Sequence, residues 1–190
     1  MAETQEKISS ESLRIERLSS AHEGIITSFK SYEKELMDFL VEDALGNQEK
    51  KISVTHLWFS KSTNELVGYI TLLTDTISLN PTLKNEFRTK GIDYKSLPAI
   101  KIGRLCVDDK FLRKGIGSLM IQSVIYYIKK INEKCGCRFI TVDAKRNPDK
   151  SKDSCHFYKK MGFEMLKERK KGTTPMYKDV FKLVESLETT

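Results

Sequence analysis

The sequence lacks most of what would place a chain outside the ordinary globular proteins. Its 190 residues contain no run approaching the ~20 apolar residues that a membrane-spanning helix needs. The opening MAETQEKISSE has no apolar segment of the kind a secretory signal carries, so a cytoplasmic location is expected. Four cysteines, Cys106, Cys135, Cys137 and Cys155, are few for this length, and none forms a C-x-x-C pair. A zinc site takes four ligands at short, paired spacings, so no metal is expected, and the thiols read as free groups in a reducing compartment. The three histidines form no Ser-His-Asp or Cys-His set, and no G-x-S-x-G occurs. With no repeat, low-complexity run or long Pro/Gly/Ser linker to divide the chain, residues 1–10 read as a flexible N-terminus and residues 11–190 as one domain.

Charge is plentiful and unevenly placed. Residues 1–100 carry 12 Lys and Arg against 15 Asp and Glu, whereas residues 101–190 carry 21 against 11. A basic half attracts phosphates, whether of a nucleotide cofactor or of RNA, and equally makes a solvated face.

Hydrophobic periodicity supplies the elements. Ser12 to Leu18 alternates apolar and charged residues, as a half-buried strand does. From about Ile25 to Leu45 the spacing of Leu36, Phe39, Leu40 and Ala44 predicts a helix, with Gly46 as its stop. Ile52 to Phe59 and Leu66 to Leu73 read as a hairpin around residues 61–64. Pro81 suits the first turn of a short helix. Leu97 to Val107 reads as a mostly buried strand ending at Asp108-Asp109, followed by a helix that opens at Gly115-Ile116-Gly117. The stripe Ile121, Val124, Ile125, Ile128 and Ile131 on that helix is core. Cys137 to Val142 is a further strand, Ser151 is placed to cap a helix through Lys160, and Gly162 ends it. Phe163 to Leu166 and Tyr177 to Leu183 read as the last strands. Of the histidines, His56 reads as packed in the core and His22 as lying at the surface, while His156 does not share a helix face with Tyr158.

The segment Arg113-Lys114-Gly115-Ile116-Gly117-Ser118 follows a strand and opens a helix. Glycines let a backbone approach a ligand closely, and a helix start presents unpaired N–H groups and the positive dipole end, a seat for phosphate. A dinucleotide fingerprint would need glycine where Met120 stands, and the G-K-[ST] of a P-loop is absent. Two glycines alone equally suit a tight strand-to-helix turn.

The neighbours narrow the choice. Arg104-Leu105-Cys106-Val107-Asp108, then Gly115-x-Gly117, then Phe157-Tyr158-x-x-x-Gly162-Phe163 together resemble the GNAT superfamily of N-acetyltransferases. Val67-Gly68-Tyr69-Ile70 stands in the place of that family's third strand and Ile140 to Ala144 in that of its fifth, so the resemblance covers nearly the whole chain. Leu36-x-x-Phe39-Leu40 and Leu97-Pro98-x-Ile100-x-Ile102-x-Arg104-Leu105 further resemble the GNAT toxins of bacterial toxin–antitoxin pairs, which acetylate the amino group of aminoacyl-tRNA.

The resemblance implies an α/β (α+β) fold: a mixed, mostly antiparallel central sheet of six to seven strands, flanked by helices, with a splayed pair of central strands. It implies acetyl-CoA as donor. The backbone of Leu105, Cys106 and Val107 would pair with the pantetheine arm like an added strand, and Arg113, Lys114, Gly115, Ile116, Gly117 and Ser118 would hold the pyrophosphate. Leu112 occupies a position where the family usually has Gln or Arg, with Arg113 and Lys114 as replacements. Ser151 stands where the family often has a cofactor-contacting Asn, and Ser154 where it often has Ala. Cys106 reads as packing, not as a nucleophile.

Tyr158 falls at the family's general acid. Attack of an amine on a thioester expels a thiolate, and a tyrosine of reference pKa ~10 is protonated at neutral pH and can donate to it. As a plain helix residue, Tyr158 would simply pack beside Phe157. An α-amine near pKa ~8 is partly neutral already and needs little help from a base. Asp143 is the best-placed carboxylate if one serves, with capping of backbone groups as its other reading. Lys145, Arg146, Lys150, Lys152, Lys159, Lys160, Lys167, Arg169, Lys170 and Lys171 would bind the cofactor's 3′-phosphate and an RNA acceptor stem, or form a solvated rim. The expected partners are an amine acceptor, charged tRNA, an antitoxin and a second copy of the chain, with no membrane. A small-amine or protein N-acetyltransferase, and a nonenzymatic RNA- or CoA-binding GNAT-like protein, remain the alternatives.

Overall fold

In the computed structural model residues 7–149, 152–169 and 172–182 are described. Seven strands, β1 (Leu13–Arg17), β2 (Val54–Ser60), β3 (Leu66–Ser78), β4 (Ser96–Val107), β5 (Phe139–Lys145), β6 (Glu164–Met165) and β7 (Thr173–Asp179), form one sheet in the order β1-β2-β3-β4-β5-β7-β6. The chain separates into two compact units, Met1–Leu73 with Gly103–Gln122, and Thr74–Ile102 with Ser123–Thr190.

In the first unit, β1 (Leu13–Arg17), β2 (Val54–Ser60) and the start of β3 (Leu66–Ser78) form an antiparallel meander. Valine, threonine and aromatic residues dominate β2, as a pleated and largely buried strand favours. Leu18, Ile26, Phe29, Leu40, Leu57, Phe59 and Tyr69 build the core with Cys106 of β4 (Ser96–Val107). Each such large side chain contributes roughly 1.5–3 kcal/mol when fully buried. Buried polar groups find partners: Thr55 and Thr71 share a 2.8 Å hydroxyl bond, and Gln48 donates to the Leu18 carbonyl at 2.7 Å. Gly68 is required by sterics, since a Cβ there would stand 2.5 Å from Met120 Cε and 2.7 Å from the Cys106 carbonyl oxygen.

The helix predicted from Ile25 to Leu45 is broken. It becomes α1 (Glu23–Ile26), α2 (Lys34–Asp38), a π-helical turn Phe39–Asp43 and α3 (Ala44–Glu49). The interruption has a physical cause: the main chain of Lys30–Tyr32 bonds to Asp108 and Asp109 instead of to a helix. Gly46 does not stop the helix but lies inside α3. His22 is not at the surface. It is buried, with Nδ1 accepting the Ser19 amide at 3.0 Å and Nε2 lying 2.8 Å from Glu16. His56 is half-buried in β2, and burial lowers its pKa.

In the second unit, β4 and β5 (Phe139–Lys145) run parallel over Ala99–Ile102 and Phe139–Val142, and the register ends there although both strands continue. β7 (Thr173–Asp179) is antiparallel to β5, and the two-residue β6 (Glu164–Met165) pairs with β7. β7 thus begins and ends four residues before the strand expected at Tyr177–Leu183. α4 (Pro81–Thr89) starts on Asn80, whose side chain accepts the Leu83 amide. Its Phe87 meets Phe139 edge-on at 5.8 Å, and Phe139 meets Tyr177 at 5.9 Å. Arg138 binds Asp179 at 2.9 Å with its guanidinium over the Phe87 ring. α5 (Ile116–Ile131) belongs in part to each unit. Of its expected stripe Ile121, Val124 and Ile128 are buried while Ile125 and Ile131 are half-buried, and Ile116 and Met120, outside that stripe, are buried as well.

Candidate active site

In the first unit β4 ends at Val107, and the Asp108 amide donates to the Val67 carbonyl of β3 at 3.0 Å. Cys106 is buried, which pushes its thiol up to about 12, so it is no thiolate nucleophile at neutral pH. The Asp108 carboxylate accepts the Lys110 amide at 3.0 Å and so caps a single 3-10 turn, Asp109–Phe111. The chain then makes two left-handed residues, Arg113 at φ 63° and Gly115 at φ 86°, and enters α5. Glycine adopts this conformation freely, while at Arg113 it costs roughly 1–2 kcal/mol. The Lys114 ammonium lies 5.2 Å from the centre of the Phe111 ring.

This loop fits a diphosphate. Gly115 faces open space, with nothing within 4 Å of where a Cβ would stand. The first-turn amides of Ile116 and Gly117 have no carbonyl of their own helix to bond, and Arg113 and Lys114 bring positive charge. Leu112 is 36% exposed beside them.

In the second unit α6 (Ser154–Lys160) is capped by Asp153, whose carboxylate accepts the Cys155 amide at 2.9 Å. Asp153, not the expected Ser151, therefore starts the helix, because it directly precedes the first turn. Ser151, like Lys150, Lys170 and Lys171, lies outside the described residues. Gly162 ends α6 at φ 79°, as expected, and Lys178 Nζ donates to the Met161 carbonyl at 2.9 Å. Tyr158 is 6% exposed, held between Phe157 at 5.1 Å and Phe163 at 5.2 Å, both edge-on. Burial raises its pKa above the ordinary tyrosine value, so it stays protonated at neutral pH.

Of the four tyrosines whose pKa burial raises, Tyr69, Tyr158 and Tyr177 differ in one respect. Tyr69 donates to the Leu36 carbonyl at 2.6 Å and Tyr177 to Glu164 at 2.9 Å. The Tyr158 hydroxyl has no hydrogen-bond partner among the described residues. Asp143 on β5 is paired with Lys101 of β4 at 2.6 Å. His156 is exposed. Among the described residues no cluster of three or more His, Cys, Asp or Glu is placed to hold a metal ion, and no helix is long and apolar enough to cross a membrane.

Residues 53–165 match the Acetyltransferase (GNAT) domain, more than half of the chain. The chain belongs to the GNAT acetyltransferase family. As a GNAT enzyme it is an acyltransferase that uses acetyl-CoA as donor. Its fold is similar to that of a tyrosine-to-phenylalanine variant of KacT, at 23% identity and a TM-score of 0.75, over 93% of this chain and 99% of that one. It is also similar to AtaT complexed with acetyl-methionyl-tRNAfMet, at 21% identity and a TM-score of 0.72, over 93% and 99% of the two chains. AtaT bound to the C-terminus of the antitoxin AtaR and acetyl-CoA matches at 20% identity and a TM-score of 0.69, over 94% and 99%. The seven-stranded mixed sheet flanked by helices agrees with the GNAT fold expected from the motifs.

In sequence Asp108 and Asp109 mark only a strand end. The spacing of Asp108 from Lys110 is that of a side chain capping its own turn, and this was the available signal.

Proposed function

We propose that this GNAT chain transfers acetyl from acetyl-CoA to the α-amino group of an aminoacyl-tRNA, with Tyr158 as general acid. The observation that carries the reading is the Tyr158 hydroxyl: protonated, ring-buried and without a partner among the described residues, in contrast to Tyr69 and Tyr177. Leu105, Cys106 and Val107 offer backbone to the pantetheine arm, and Arg113–Ser118 hold the diphosphate. The neutral amine attacks the thioester carbonyl, and a carbon–nitrogen bond forms as the carbon–sulfur bond breaks. Tyr158 protonates the departing sulfur, and the proton shed by the nitrogen leaves to solvent, from which Tyr158 is reprotonated. An α-amine is partly neutral at pH 7, so the chemistry needs no strong base. Asp143, tied to Lys101, is the carboxylate to test by Asp143→Asn for a share in removing the nitrogen's proton.

Two observations favour RNA as the carrier of the amine. AtaT, of similar fold, was solved with an acetylated methionyl-tRNA. Lys145, Lys152, Lys159, Lys160, Lys167 and Arg169 of the second unit are all exposed, as backbone-phosphate contacts require. An antitoxin partner and a homodimer complete the reading. The support for the first is that AtaT was solved with AtaR, and sedimentation of the pure chain checks the second.

The deciding experiment offers labelled acetyl-CoA to a mixture of bulk charged tRNA, polyamines and a lysine peptide. Label in the RNA fraction that mild alkaline deacylation removes is the expected result. Label confined to polyamine or peptide overturns the tRNA acceptor and keeps the acetyltransferase. Affinity for tRNA should fall steeply with salt as counterions are released.

A further inference from the structure

The loop Lys110–Ser118 is held in shape by parts of the chain far from it in sequence. The buried Asp108 places one carboxylate oxygen on each of two segments: Oδ1 accepts the Lys110 amide of the loop at 3.0 Å, and Oδ2 accepts the Lys30 amide at 2.8 Å. Its neighbour repeats the connection. The Asp109 amide donates to the Lys30 carbonyl at 3.0 Å, and the Asp109 carboxylate accepts the Tyr32 amide at 3.2 Å. On the loop's far side the Ile8 amide donates to the Lys114 carbonyl at 3.0 Å. Between these fixed points sits the left-handed Arg113, and the left-handed Gly115 directly follows the second of them. A non-glycine residue persists in that conformation where its surroundings over-determine it.

From this arrangement we infer that Asp108 is a positioning residue for donor binding. It touches neither donor nor acceptor, and it presets the loop by bridging Lys30 and Lys110, with Asp109 and Ile8 as secondary braces. The inference rests on the reading that Arg113–Ser118 hold the donor's diphosphate. A carboxylate suits the task because it accepts at both oxygens, while an asparagine would turn an N–H₂ toward one of two N–H donors.

The test uses the full chain and the variants Asp108→Asn and Asp109→Ala, the latter exposed and losing one bond. Asp108→Asn is expected to raise the KM for acetyl-CoA and the Kd for CoA by about tenfold, with kcat at saturating donor near wild type. Amide exchange at Lys110–Ser118 should quicken while β1 and β2 keep their protection. Asp109→Ala should move the same quantities in the same direction by about threefold. A merely structural role would lower melting temperature without separating KM from kcat. If both variants leave loop exchange and donor KM at wild type, or if kcat falls with KM unchanged, the inference is overturned. Lys114→Ala isolates the underlying reading: wild-type CoA affinity in that variant would mean that the loop does not hold the diphosphate, and the positioning role would fall with it even if Asp108→Asn loosens the loop.

Discussion

The two chemically marked regions are held by opposite means. The loop Asp108–Ser118 of the first unit is fixed by polar bonds, four of them joining its Asp108–Asp109 start and its Lys114 to Lys30, Tyr32 and Ile8. Tyr158 of the second unit is fixed by apolar contacts, with two aromatic rings against its own and no bond to its hydroxyl among the described residues. The difference teaches what each region is built to spare. On the proposed reading, the loop presents its amides to the donor's diphosphate and is shaped by other donors and acceptors, whereas Tyr158, the proposed proton donor, is held by its ring and its oxygen bonds no described residue.

The contrast can be broken most severely at Tyr158. Tyr158→Phe is expected to cut kcat by ~100-fold or more while leaving the melting temperature close to wild type, since the lost hydroxyl bonds no described residue. Undiminished turnover would remove the general-acid assignment. Phe163→Leu sharpens the point from the packing side. It should lower kcat by about tenfold with the acetyl-CoA KM unchanged, and cost about 1 kcal/mol in a denaturant melt. At the other region Lys114→Ala should do the reverse, raising the KM for acetyl-CoA by about fivefold at constant kcat, as loss of a charge-assisted contact does. The smallest effect appears only in alkali. Tyr69, Tyr158 and Tyr177 all have raised pKa values, so the folded chain holds these protons more tightly than the unfolded chain does. Their contribution to stability is fully present below pH ~10 and is lost as pH rises beyond it. Tyr158→Phe should make that loss less steep, as measured by chemical denaturation between neutral and strongly alkaline pH.

Local signals are legible because local chemistry produces them. Pro81 begins α4, Gly162 ends α6, and Ile121, Val124 and Ile128 of the expected stripe are buried on α5. The left-handed Gly115 ahead of α5 fits the strand-to-helix turn that its glycine implies. What the sequence hid is non-local. The break near residue 30 reflects carboxylates 77 and 78 positions away, which capture amides that an isolated helix would have used. The helix start at Asp153 instead of Ser151 is a choice between two good capping residues, settled by which one immediately precedes the first turn. His22 went inside because Ser19 and Glu16 satisfy both its ring nitrogens, a combination that no periodicity reports.

Gly68 bears on how this sequence is free to change over generations. Most exposed lysines can drift to many other residues, yet one added carbon at position 68 meets the end of Met120 and the carbonyl of Cys106 at once. The methionine is flexible and can swing aside or be replaced by something smaller. The carbonyl belongs to the strand itself, so no second substitution makes room for the first. Ancestors and descendants that keep this packing of β3 on β4 are therefore confined to glycine there, inside a strand and away from any turn that would call for one.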